Sequence, residues 1–263
     1  MSYIRGQFAR ILAVALFTAV LAVGGCSKDD TNPVVQSPAG DFNGPSAVLG
    51  NGTVKAYVKL DDAGNPTAVG VRMSETALNG LPGDPASMAN EIVLAFPSQG
   101  SATPFTHVLL HWNPMGHPPD PIYTVPHFDV HFYMISNDER MTISPTDTVK
   151  GRKIPAATLV PPGYFNGVDI VPMMGVHWID AASPELNGAP FTRTMIYGFW
   201  DGRQAFLEPM VTKGFMEAKT GSVDDIKQPA AFSKSGYYPT KYSVSWDATA
   251  KEYTIAVKEF VKR

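Results

Sequence analysis

The sequence predicts a mainly β fold, an antiparallel barrel or sandwich carrying short helices. Three observations point there. Short stretches with apolar residues at every second position recur along most of the chain, the period of a half-buried strand. The 263 residues include 23 glycines and 23 prolines, which favours frequent turns. No long stripe of apolar residues at helical spacing interrupts them.

The elements follow in order. Arg5 and Arg10 precede an apolar run over residues 11–23, and no acidic residue occurs before Asp29. A basic start, a short apolar middle and small residues afterwards form a secretory signal, and the run is shorter than the roughly 20 residues that span a bilayer. It ends Leu21-Ala22-Val23-Gly24-Gly25-Cys26, which resembles a bacterial lipobox with Cys26 as the lipidated residue. Residues 1–25 are therefore read as a lipoprotein signal peptide, and 26–52, rich in Ser, Asn, Asp, Pro and Gly, as a lipidated cysteine and flexible tether. One β-rich domain is expected over 53–263. Strands are expected at 53–60, 67–73, 91–96, 106–112, 127–135, 175–179, 192–200, 203–210, 241–246 and 252–261. Short helices are expected after Ser74, at 155–159 and at 212–219. Asp201-Gly202 suits a two-residue type I′ hairpin, which would set Glu208 opposite Met195.

Composition excludes several functions. A net charge of −3 argues against binding nucleic acid through phosphate neutralisation. One cysteine permits neither an intramolecular disulfide nor a zinc site of paired cysteines. There is no Gly-x-Ser-x-Gly elbow, no phosphate-binding Gly-x-x-x-x-Gly-Lys-Ser/Thr loop and no dinucleotide fingerprint.

The histidines carry the chemistry. All six fall between His107 and His177. In Pro126-His127-Phe128-Asp129-Val130-His131-Phe132-Tyr133 a strand puts His, Asp and His on one face and Phe, Val and Phe on the other. His127 and His131 are then about 13 Å apart along the strand, too far to share one ion without a bend, so either is more easily joined by histidines of neighbouring strands. His117 lies in a proline-rich loop, His177 beside Trp178, and Glu208 on an otherwise apolar strand. A carboxylate there needs a partner, whether an ion, Arg193 or an imidazolium.

Imidazoles joined by a carboxylate form a common shell for Zn²⁺, Fe²⁺, Mn²⁺ or Ni²⁺. His117, His127, His131, His177 and Glu208 are the pool from which metal ligands would be drawn. Asp129, Asp180 and His111 are candidates to orient those imidazoles. Met115, Met173, Met174 and Met210 lie near them in sequence and would suit copper, though methionine more often fills cores. Two other readings stand beside the metal: hydrogen-bonded structural histidines, and an acid/base pair of one histidine with Glu208.

The blocks Trp112-Asn113-Pro114-x-Gly116-His117, Pro126-His127-Phe128-Asp129-x-His131-Phe132-Tyr133, Met174-Gly175-x-His177-Trp178-x-Asp180 and Phe206-x-Glu208-Pro209-Met210-x-Thr212 resemble those of an uncharacterised bacterial family of exported proteins, a domain of unknown function. The resemblance spans about residues 50–260. It implies an exported, β-rich protein and leaves homo-oligomerisation open. More loosely, histidine-bearing strands with a glutamate resemble a cupin-type metal barrel, but cupins favour His-x-His followed closely by Glu, whereas here the spacing is His-x-x-x-His with a distant Glu208.

The expected protein is thus held on the bacterial envelope by its lipid, at the outer membrane and outside the cytoplasm. It would carry a His/Glu pocket for a divalent metal or a small ligand. A metal-dependent enzyme of hydrolase or oxygenase type and a purely structural oligomeric envelope subunit are the alternatives.

Overall fold

A computed structural model describes residues 39–263. The expected secretory signal, Cys26 and the first part of the expected tether lie outside the described residues.

Thirteen strands are described: β1 (Gly40–Leu49), β2 (Gly52–Leu60), β3 (Pro66–Ser74), β4 (Glu91–Ala95), β5 (His107–Asn113), β6 (His127–Tyr133), β7 (Tyr164–Val171), β8 (Gly175–Asp180), β9 (Arg193–Trp200), β10 (Arg203–Thr212), β11 (Ser222–Asp225), β12 (Tyr237–Asp247) and β13 (Glu252–Lys262). They form a six-stranded sheet, β1-β2-β3-β13-β12-β11, and a seven-stranded sheet, β4-β5-β6-β10-β9-β8-β7. All recorded pairings are antiparallel. Each sheet keeps two separate edges, so the architecture is a sandwich and not a closed barrel. Three short α-helices, α1 (Asn137–Met141), α2 (Thr148–Gly151) and α3 (Lys213–Glu217), join several 3₁₀ turns. Among the described residues no helix is long and apolar enough to cross a membrane.

Period-2 alternation decides which face does what. Phe128, Val130 and Phe132 of β6, with Leu110, Tyr197 and Leu207, pack against Val58, Val71 and Ile255 of the other sheet in one apolar core. Removing that apolar surface from water is the main force joining the sheets, at roughly 25 cal/mol per Å² buried. The opposite face of the seven-stranded sheet presents His127, Asp129 and His131, alternating with those core residues. Loops and β7 cover this outer face, where two smaller apolar clusters form.

Three differences from the sequence reading have physical causes. The first described strand is β1, within the residues expected to be tether, where it pairs with β2 as an edge strand. Its side chains are mostly exposed, and Pro45 falls in a register break between Asn43 and Ser46, so it carries no apolar alternation to read. Neither edge strand β7 nor β11 has an apolar alternation to read: β7 (Tyr164–Val171) is broken by Asn166-Gly167 and Asp169, and β11 (Ser222–Asp225) is polar. The β9–β10 hairpin does turn at Asp201 and Gly202, both at positive φ (50° and 74°). A bulge between Gln204 and Phe206 then shifts the register by one, so Glu208 lies opposite Ile196 and not Met195. The helix expected at 155–159 is a 3₁₀ turn, Ala157–Leu159, and the one at 212–219 is α3, capped where the Thr212 hydroxyl accepts the Phe215 N–H (3.2 Å).

Candidate metal centre

Strand β6 is the backbone of the site. On its left, Asn113 pairs with His127, His111 with Asp129, and Leu109 with His131. On its right, the β10 ladder runs Phe206↔Tyr133 and Leu207↔Phe132 and resumes at Met210↔Asp129. Pro209, which has no N–H to donate, lies in that gap beside Glu208. Farther right, β8 sets His177 against Gly198 of β9, whose lack of a side chain opens space in the row that Phe206 also occupies.

The five residues expected as ligands do not meet at one point. With Asp129 they form two groups: His117, His127 and Asp129, and His131, His177 and Glu208. In each, one donor atom per residue lies within 4.8 Å of the others. The 13 Å separation of His127 and His131 along the strand places one in each group.

In the first group His127 Nε2 is 3.1 Å from Asp129 Oδ1 and His117 Nε2 is 3.5 Å from Asp129 Oδ2. Both imidazoles are held at their other nitrogen: His117 Nδ1 is 2.7 Å from the Pro118 carbonyl, and His127 Nδ1 is 2.7 Å from that of Val125. A carbonyl only accepts, so each Nδ1 carries a proton and each Nε2 is turned toward the carboxylate. This is the arrangement by which the groups behind a metal-bound histidine fix its tautomer. Asn113 Nδ2 donates to Asp129 Oδ2 at 2.7 Å. Gly116 enables the loop: at φ +71° it brings the backbone so close that a Cβ would stand 2.1 Å from the Tyr123 carbonyl oxygen. The His117 N–H donates to that oxygen (3.1 Å).

In the second group Glu208 is shared: Oε1 is 3.2 Å from His131 Nε2, and Oε2 is 3.4 Å from His177 Nε2. Glu208 is 1 % exposed and His131 is fully buried. Packing orients the rings, with Phe206 4.9 Å from His131 and 5.3 Å from His177 between centroids.

These distances match ligands around an ion. With bonds of about 2.1 Å, two ligands of a tetrahedral site stand about 3.4 Å apart. Despite their proximity, His127 Nε2, Asp129 Oδ1, His131 Nε2 and Glu208 Oε2 are buried with no aligned hydrogen-bond partner, which in a folded protein calls for an explanation. Arg193 does not supply it, because its guanidinium is bound to Asp224 at 2.6 and 2.8 Å.

Charge is concentrated here. Burial alone would raise Asp129, but His117 and His127 hold its carboxyl well below the usual range. Burial opposes protonation of His117, yet Asp129 beside it raises that imidazole to about 9. His131 is likewise raised, by Glu208 against burial, whereas burial leaves His177 lowered.

The remaining candidates separate. Asp129 supplies a donor atom itself instead of only orienting an imidazole. His111 Nδ1 stands 3.9 Å from Asp129 Oδ2, beyond hydrogen-bond reach. Asp180 faces elsewhere, accepting from Lys227 Nζ at 2.7 Å. His107 stacks on Tyr133 (4.8 Å) and belongs to neither group, its imidazole lowered to about 4 by burial. Met174 and Met210 line the cavity above the groups, while Met115 is exposed. Asp129 was readable as a ligand, since it shares a face with His127 two residues away, whereas the loop residues around the cavity gave no periodic signal.

A family model described as "TTHB210-like: Hypothetical protein TTHB210" matches residues 61–112. Over that segment the chain is similar to an uncharacterised family. The segment ends within β5 and contains His107 and His111 but no member of the two groups. No curated protein matches the chain, and no solved structure does.

Proposed function

We propose that this chain is a lipid-anchored, extracytoplasmic module that binds divalent metal ions on the outer face of its seven-stranded sheet. The single observation that carries the reading is the double two-histidine, one-carboxylate constellation with buried, unpartnered donor atoms. Such a set suits Zn²⁺, Fe²⁺, Mn²⁺ or Ni²⁺. The anchor rests on the sequence ending at Cys26, and envelope attachment follows from it.

A second reading is favoured by one observation. Three protein ligands leave a coordination position open, and a large cavity lies above. A bound ion could there activate water or O₂, as in a metal-dependent hydrolase or oxygenase.

Elemental analysis and zinc titration of the purified full chain test the first reading. Two equivalents are expected. A chain that is folded and takes up no metal would overturn it. Palmitate labelling lost in Cys26→Ala tests the anchor.

A further inference from the structure

The space above the two groups is about 730 Å³. At roughly 30 Å³ per water, two ions and their solvent would leave most of it unused. The volume falls in the ~300–1,000 Å³ range of sites for organic molecules of drug size. Its floor is polar, with His117, Asp129, His177 and Glu208, and its walls are apolar, including Met174, Ile179, Ile196 and Met210.

The rim is apolar too. Phe165 and Val168 of β7 line the opening and stay 45 % and 79 % exposed, a cost to solubility that marks contact sites when such residues gather at one place. Val168 also adopts φ +62°, rare for a β-branched residue, where Asn166 Oδ1 accepts its N–H at 2.7 Å.

We infer that this cavity binds an amphiphilic small molecule, whose apolar body fills the space under β7 and whose single carboxylate-type head coordinates one of the ions below. The head-group half rests on the metal reading above; the apolar half rests on the walls. Two divalent ions against the carboxylates of Asp129 and Glu208 leave a net positive floor, which selects an anionic head. Each ion has an open position to receive it.

The test is calorimetric titration of the full chain, zinc-loaded and zinc-stripped, with straight-chain alkyl carboxylates from acetate to decanoate. In the loaded protein affinity should climb about fourfold per methylene until the cavity is filled. Zinc removal should weaken every member by one common factor of at least tenfold. Leu186→Trp and Val171→Trp, at lining residues that pack on different apolar clusters, should each cut the climb short while zinc stoichiometry stays unchanged; with two variants, misfolding of one leaves the other informative. Affinity independent of chain length, with zinc still bound, overturns the inference and leaves the metal reading standing. A climb indifferent to zinc removes the assigned head group, and failure of zinc to bind at all removes the metal reading with it. A full climb in both folded tryptophan variants places the ligand elsewhere and overturns the inference.

Discussion

Two groups with the same donor set hang on one strand and are built in different ways. His127 and Asp129 of the first are neighbours on β6, completed by His117 from a loop, and two main-chain carbonyls fix the imidazoles. The second joins β6, β8 and β10, elements far apart in sequence, and orients its rings by packing on Phe206. The first spends hydrogen bonds on geometry and the second spends core volume. A local group should therefore respond to changes in its hydrogen-bonding partners and its loop, and a tertiary group only to changes in its own ligands or in the sheet.

The largest test separates them. Glu208→Gln keeps the shape and removes the only carboxylate of the second group, so zinc titration should lose one equivalent, with affinity there falling at least a hundredfold. The first group should keep its equivalent, and Asp129→Asn should do the reverse. Loss of both equivalents in either variant would show one joined centre instead of two.

Asn113→Ala comes next. Its amide donates to Asp129 at 2.7 Å without being a ligand. Groups in that position are worth about 10–100-fold in metal affinity. The fall should be confined to the first group. An equal fall at the second would mean that the sheet, not the local partner, transmits the change.

The contrast was legible in sequence to an uneven degree. Alternation along β6 gives the polar and core faces residue by residue, and the 13 Å between His127 and His131 already bars a shared ion. The bulge at Ala205 is not legible, because an inserted residue leaves the hydrophobic pattern of β10 intact on both sides while shifting its pairing with β9 by one residue. Nor is the cavity, whose rim comes from the edge strand β7, which has no alternation to read. Position on a face is a local property; convergence of His177 with Glu208 depends on the order of strands, which only the folded sheet defines.

Protons sharpen the comparison further. In the metal-free chain Asp129 raises His117 to about 9, while burial keeps His177 neutral at pH 7. A metal needs the neutral imidazole, so below pH 9 it must displace a proton from His117. Affinity at the first group should rise about tenfold per pH unit from 7 to 9 and then level off, as measured in Glu208→Gln. Titration in buffers of different ionisation enthalpy should count the released proton. A flat profile would mean that metal binding displaces no proton from His117.

The smallest effect isolates the loop. Gly116→Ala adds a methyl that would sit 2.1 Å from the Tyr123 oxygen, at a φ of +71° that only glycine adopts freely. Backbone has to yield, and the part free to yield is the loop, since the core of the sandwich lies on the other face of the sheet. The His117 N–H then loses its 3.1 Å bond to Tyr123, and Nε2 shifts relative to Asp129. Affinity at the first group should drop about five- to tenfold, in line with roughly 1 kcal/mol of strain and displacement, and the melting temperature by about 2–4 °C. The second group, whose ligands all stand on strands, should keep its affinity within twofold. If it falls by the same factor, the loop supports both groups, and the division into a local and a tertiary site is wrong.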